Sequence, residues 1–250
     1  MENNFHIIWY DILDSTNDEA LRHIGSIDNL SVIAARLQTA GRGQRGNKWL
    51  SGQSDSLTFS VVLKFGKGLP ALPGRDSMSL NKWSALAVCR LLDGLGIKAM
   101  IKWPNDIYVG NRKICGILVE NAFSGDQVGY TVMGIGLNLN QVEFPDSLPN
   151  PVSAYQLIHR RTLPDNALRQ FVYIMEKSLD TLFDKPSLDA LYLERLYHLD
   201  KPSRWRDPVD GKEFTGTIKG VLEDGRLMLE VNGEVKTFGF KEIEYILEKP

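Results

Sequence analysis

At 250 residues the chain is long enough to bury a sizeable core and to hold one large domain plus one small one. With 43% hydrophobic and 24% charged residues it reads as an ordinary globular protein rather than a disordered or fibrous one. Its 29 basic residues are outnumbered by 31 acidic ones, so the Lys/Arg excess that displaces counterions from a phosphate backbone is lacking, and no nucleic-acid partner is expected. Cys89 and Cys115 lie far apart and form no CxxC pair, which argues against a zinc site or a disulfide scaffold. The opening MENNFHIIWYDILDS lacks a basic start followed by an uncharged apolar run, so neither a signal peptide nor a membrane anchor is expected. A cytoplasmic location follows as the expectation.

His6 to Leu13, rich in Ile, Trp and Tyr, predicts an opening strand. Ser15, Thr16 and Asn17 supply N-cap chemistry, Asp18 and Glu19 suit the positive end of a helix, and Gly25 closes a helix of about ten residues. Ser31–Leu37 predicts a second strand, Gln38–Lys48 a polar glycine-rich loop, and Leu57–Phe65 a third strand. Leu80, Trp83, Leu86, Ala87, Leu91 and Leu95 recur at helical spacing and predict a long core helix between Ser77 and Gly96.

Lys98–Trp103 and Ile107–Val109 read as strand pieces interrupted by Pro104. Ile114–Phe123 and Val128–Leu139 predict a hairpin across Ser124-Gly125-Asp126. Helical patterns then cover Ala154–His159, Asn166–Phe183 and Ser187–Leu199. From Trp205 onward, short strands punctuated by Asp224-Gly225 and Asn232-Gly233 predict a small β-barrel or meander.

The stretch Gly41-Arg42-Gly43-Gln44-Arg45-Gly46-Asn47-Lys48-Trp49 matches GxGxxG, but it leads to a strand and not into a helix, so a dinucleotide turn is disfavoured. There is no GxxxxGK[ST] sequence. A glycine backbone flanked by Arg42, Arg45 and Lys48 can hold phosphate, as in a nucleotide or an acyl-adenylate. A solvated basic loop explains the same residues equally well. Trp49 can stack on a purine or enter the core.

Asn105-Asp106, after Pro104, offers an amide for adenine and a carboxylate for ribose or metal, or else plain turn chemistry. Lys113 opens an apolar strand in which Gly116 allows close approach. It can neutralise a developing carboxyl–phosphate charge, or it can simply be a strand-end lysine in solvent. Gly134 and Gly136 precede Asn138, which either reaches a ligand or rims a β-bulge. The four histidines form no HExxH spacing, and no GxSxG elbow is present.

Taken together, Ser15-Thr16-Asn17, Gln38-Thr39-Ala40-Gly41-Arg42-Gly43, Lys102-Trp103-Pro104-Asn105-Asp106, Arg112-Lys113 with Gly116-Ile117-Leu118-Val119-Glu120, and Gly136-Leu137-Asn138 resemble the biotin–protein ligases in order and spacing. The resemblance implies an α+β catalytic domain at 1–200, related to class II aminoacyl-tRNA synthetases and built on a mixed sheet. It also implies a small SH3-like C-terminal β-barrel at 201–250. The implied reaction joins biotin to ATP as biotinyl-5'-AMP with the help of Mg2+, then passes biotin to a lysine of a biotin carboxyl carrier protein.

By matching position, the resemblance assigns Ser15, Thr16, Asn17, Gln38 and Gly116 to biotin. It assigns Gly41, Arg42, Gly43, Arg45, Trp49, Asn105, Asp106 and Asn138 to the nucleotide and its phosphates. Lys113 and Arg42 are the implied catalytic groups and Asp106 the implied Mg2+ ligand. The chain departs from the bacterial pattern where Gln44 and Asn47 replace arginines, which implies weaker retention of the adenylate. It also starts almost directly at the strand before Ser15, so a preceding winged helix-turn-helix and DNA binding are not expected. A homodimer is compatible with the resemblance. The rival readings are a lipoate or octanoate transferase, and a non-catalytic biotin or adenylate sensor.

Overall fold

The computed structural model describes residues 5–50 and 55–247, apart from the side chain of Arg45. Strand β1 (His6–Leu13) runs parallel to β2 (Ser31–Gln38), and between them lies α1 (Thr16–Arg22). β3 (Ser56–Lys64) pairs antiparallel with β2, and the two-residue β4 (Leu72–Pro73) follows it. The long helix α2 (Met78–Gly94) leads into β5 (Met100–Lys102), β6 (Asp106–Val109), β7 (Arg112–Ser124) and β8 (Gln127–Asn138). The resulting mixed sheet has the order β1-β2-β3-β8-β7-β6-β5, with β4 attached to β8. β3 is buried along nearly its whole length, on both faces, so the apolar run Val61–Leu63 follows the alternating Leu57–Ser60 without an exposed side.

Helices α3 (Ala154–Ile158), α4 (Pro164–Lys177), α5 (Leu179–Phe183) and α6 (Lys185–Glu194) complete the larger unit. Trp83 on α2, Phe59 on β3 and Phe171 on α4 are fully buried, with Phe59 and Phe171 meeting edge-to-face at 4.8 Å. The single helix expected over Asn166–Phe183 is two helices. The Ser178 hydroxyl bonds back to the Ile174 carbonyl at 2.7 Å, and Trp83 Nε1 donates to the Ser178 carbonyl at 2.9 Å, so the ladder is interrupted there. The helix expected to reach Leu199 stops at Glu194 because the 195–197 segment bridges to Ile101 as a strand does, Ile101 N donating to the Arg195 carbonyl and Tyr197 N to the Ile101 carbonyl.

The C-terminal strands are β9 (Pro202–Arg206), β10 (Glu213–Val221), β11 (Leu227–Val231), β12 (Glu234–Phe238) and β13 (Glu244–Tyr245). They form an antiparallel sheet in the order β12-β11-β10-β9-β13. The expected barrel is not closed: among the described residues β12 and β13 end the sheet on opposite sides, without pairing. This sheet packs on the larger unit near the β5–β6 turn, where Trp103 Nε1 donates to the Gly225 carbonyl at 2.9 Å and the Trp103 ring meets Phe240 at 5.9 Å. Among the described residues no helix is long and apolar enough to cross a membrane.

Candidate active site

The concave face of the mixed sheet carries a cavity of about 170 Å³. One wall is the start of α1. Ser15 caps that helix, its hydroxyl accepting from Asp18 N, and Ser15, Thr16 and Asn17 are each at most 3% exposed. Thr16 N donates to Gln38 Oε1 at 2.8 Å, which joins the helix start to the end of β2 and sets the orientation of the Gln38 amide. The four residues that the resemblance assigns to the biotin head group therefore lie together on the same cavity.

The floor is made of β7 and β8, where glycines occupy the positions that other elements approach. A Cβ on Gly136 would stand 2.3 Å from the indole of Trp49, and one on Gly116 would stand 2.9 Å from it. Trp49 lies flat on this strip, outside any strand, and its Nε1 is buried with no hydrogen-bond partner in the structure. Beyond Trp49 a second cavity of about 460 Å³ opens, bounded by Tyr108, Lys113, Asn138 and the 148–151 segment. Lys113 lines both cavities, and its Nζ is held 2.7 Å from Asp106 Oδ1.

The glycine-rich loop is folded on itself. Gly43 N donates to the Asn47 carbonyl at 2.7 Å and Trp49 N to the Gly41 carbonyl at 2.9 Å. The Gly43 N–H is thus committed to the loop and is no phosphate donor in this conformation. Arg42 is clasped between Asp18 and Glu120. Burial pulls its pKa down, but the two carboxylates outweigh burial and leave it above the ordinary arginine value. The Arg45 side chain falls outside the described residues.

Two expectations change. Asn105 is fully buried and lines neither cavity: its amide donates to Asn81 Oδ1 at 2.7 Å and to the Ile117 carbonyl at 3.3 Å, and its oxygen accepts from Gln44 Nε2 at 3.1 Å. It braces the β5–β6 turn and presents no spare group to a nucleotide. Asn138 borders the second cavity, but its amide hydrogens go to the Val152 and Lys113 carbonyls at 3.1 and 3.4 Å. It fastens the 148–152 segment beside Lys113.

Sequence reasoning missed Phe240 and Lys241, which reach the first cavity from the C-terminal sheet, more than a hundred residues beyond Gly136, the nearest other lining residue. No local pattern marks them. It also gave Glu120, Asp18 and Ser60 no part in the site. Ser60, fully buried beside the apolar run Val61–Leu63, carried a usable signal, since a polar side chain there needs a partner. Lys48 and Lys241 have no acidic partner among the described residues, and Asp106 is the only acidic side chain lining the first cavity. The cavity is therefore shaped for an anion.

The sequence model of the Biotin/lipoate A/B protein ligase family matches residues 9–138, and the chain belongs to that family. It is 31% identical to the bifunctional ligase/repressor BirA of Escherichia coli strain K12, over 93% of this chain and 71% of that protein. It is 34% identical to the biotin–[acetyl-CoA-carboxylase] ligase of Paracoccus denitrificans, over 86% of this chain and 90% of that one. The structure of the Aquifex aeolicus biotin protein ligase in complex with biotin and ATP superposes with a TM-score of 0.77 at 23% identity, covering 97% of this chain and 99% of that one. The fold is thus the class II synthetase-like α+β fold of the biotin ligases. Within the family the chain is an ATP-using biotin–protein ligase.

Proposed function

We propose that the two cavities form one active site, the first taking biotin and the reacting phosphates and the second the nucleoside end of the nucleotide, with Lys113 at their junction. The observation that carries this is the position of Lys113, which lines both cavities beside the glycine floor and is held there by Asp106; Lys48 of the loop is the other ammonium that lines both. Ser15, Thr16, Asn17 and Gln38 face the ureido end of biotin. A site built of buried donors and acceptors discriminates strongly against analogues that lack the group, which favours biotin over lipoate or octanoate. The larger cavity takes the nucleotide, with Trp49 and Tyr108 as ring surfaces.

The biotin carboxylate oxygen attacks the α-phosphorus of ATP, the bond to the β-phosphate oxygen breaks, and pyrophosphate leaves. Lys113 lies where charge builds up on the carboxyl–phosphate oxygens, and a cation fixed beforehand in a partly closed site stabilises that charge. Arg42 and Lys48 face the phosphates from the loop. Asp106, the one carboxylate among the described residues that line the first cavity, would hold an Mg2+ ion through the oxygen that Lys113 leaves free. Such an ion would supply positive charge against the leaving pyrophosphate.

In the second step the ε-amine of a carrier lysine attacks the anhydride carbonyl and AMP leaves. We assign as carrier the biotin carboxyl carrier domain of a biotin-dependent carboxylase. Free, buried Cys89 and Cys115 support a reducing cytoplasm, the near-neutral charge supports the absence of a nucleic-acid partner, and β1, which pairs on one side only among the described residues, offers an edge for a homodimer.

The test is ATP–pyrophosphate exchange with biotin, lipoate and octanoate supplied separately. Exchange is expected with biotin alone, and Lys113→Ala is expected to slow it by about 10²–10³-fold. Exchange with lipoate or octanoate moves the chain to the sister activity. An unaffected Lys113→Ala variant removes the lysine from the chemistry.

A further inference from the structure

One carboxylate bridges the two ends of the first cavity. Glu120 lies on β7 between Asn17 and Arg42: its Oε2 accepts from Asn17 Nδ2 at 2.8 Å, and its Oε1 receives Arg42 Nη2. The second guanidinium nitrogen of Arg42 goes to Asp18, the neighbour of Asn17 on α1. Behind Asn17, Ser60 Oγ donates to Asn17 Oδ1 at 2.5 Å and lies 2.7 Å from Thr16 Oγ1. Thr16 Oγ1 is in turn 3.1 Å from Gln38 Oε1. An unbroken chain of contacts therefore runs from Gln38 through Thr16, Ser60, Asn17 and Glu120 to Arg42.

This chain has little freedom. Asn17, Thr16 and Ser60 are at most 3% exposed, so a broken link leaves a buried polar atom unpaired. A Cβ on Gly134 would stand 2.2 Å from Asn17 Oδ1, so the sheet is shaped to seat that amide. A carboxylate only accepts, so Glu120 forces the Nδ2 side of Asn17 toward itself and the Oδ1 side toward Ser60.

We propose that Glu120 is a positioning residue that couples biotin recognition to phosphate capture, because it orients Asn17 with one oxygen and holds Arg42 with the other. The proposal rests on the biotin and ATP reading of the cavity given above. Without nucleotide, Arg42 answers two carboxylates. A phosphate oxygen arriving at the guanidinium competes for it, Arg42 leaves Glu120 Oε1, and the freed carboxylate charge strengthens the bond from Asn17. Each substrate then raises the affinity for the other by the same factor, as linkage requires.

The test uses the full chain and calorimetric biotin binding with and without a non-hydrolysable ATP analogue, for wild type, Glu120→Gln, Glu120→Ala and Asp18→Asn. In the wild type the analogue is expected to tighten biotin by about tenfold. Glu120→Gln keeps an acceptor for Asn17 and loses the charge. It is expected to bind biotin alone within about threefold of wild type but to lose most of the coupling, so that in the exchange assay its KM for ATP no longer falls as biotin is raised. Glu120→Ala removes both contacts and is expected to weaken biotin itself by about tenfold as well. Asp18→Asn should shift only the nucleotide side.

Coupling that survives in Glu120→Gln overturns the proposal, including when that variant merely melts at a lower temperature, because that is what a purely structural role predicts. Glu120→Gln decides the matter even if Glu120→Ala does not fold. Biotin-dependent exchange by the wild type is the control for the underlying reading: its absence sinks that reading, whereas exchange with unaltered coupling sinks only the role of Glu120.

Discussion

At the scale of single residues, Gln44 shows how one substitution changes what a loop can do. Its Nε2 donates to Asn105 Oδ1 at 3.1 Å and to the Ile117 carbonyl at 3.3 Å, so it fastens the loop to the β5–β6 turn and to β7. An arginine at this position would exchange that docking for a bidentate phosphate donor. Gln44→Arg is therefore expected to slow release of biotinyl-adenylate by about tenfold, a gain of ~1.4 kcal/mol in retention. A trapping assay with a small amine reads the release directly, and an unchanged rate dismisses the phosphate role of the position. The two cysteines make a contrasting residue-scale case. Cys89 is 1% exposed and Cys115 fully buried, and burial pushes the Cys89 thiol up to about 12 and Cys115 well above its ordinary value. Neither thiol is expected to react with an aromatic disulfide at pH 8 in the native protein. Both should react after denaturation, and a native thiol that reacts rapidly would contradict the packing of α2 against β7.

Among the elements, those with strong local periodicity were legible and those shaped by distant contacts were not. The apolar spacing of α2 and the glycine turn between β7 and β8 locate these elements to within two or three residues, because burial of one face decides them locally. The break after Lys177 was hidden because it depends on Trp83, a residue almost a hundred positions earlier, bonding to Ser178. The same division holds in the site. Ser15–Asn17, Gln38 and Lys113 were legible because each joins a motif to an element end. What Asn105 and Asn138 do depends on which neighbours claim their amides, and composition does not reveal that. α4 carries the main stability test at this scale. Phe171 is fully buried and packs edge-to-face on Phe59 of β3 at 4.8 Å. Phe171→Ala should cost roughly 3–5 kcal/mol through lost burial and the cavity left behind. Denaturant titration checks this, and a loss below about 1 kcal/mol would mean that α4 does not hold the sheet as described.

For the molecule as a whole, the question is what the C-terminal sheet contributes to chemistry performed on the other sheet. Its contact is specific: Gly225 receives Trp103 Nε1, Phe240 meets the Trp103 ring, and Lys185 on α6 reaches Glu223 at 3.2 Å. These contacts bring the loop after β12 to the mouth of the first cavity, where Phe240 and Lys241 complete its lining. Lys241 is exposed and has no acidic partner among the described residues, so its charge is available to a bound polyanion. An exposed cation facing phosphates contributes on the order of 0.5–1 kcal/mol and is screened by salt. Lys241→Ala is therefore expected to raise the KM for ATP by roughly two- to fivefold in pyrophosphate exchange at low salt, to leave the KM for biotin unchanged, and to lose the difference near 1 M salt. Phe240→Ala loosens the same loop through Trp103 and should affect both substrates, because the loop then no longer covers the cavity that they share. A Lys241→Ala enzyme identical to wild type at low salt would confine the C-terminal sheet to a structural or carrier-binding part. A nucleotide-only, salt-dependent defect would make the sheet a component of the adenylation site.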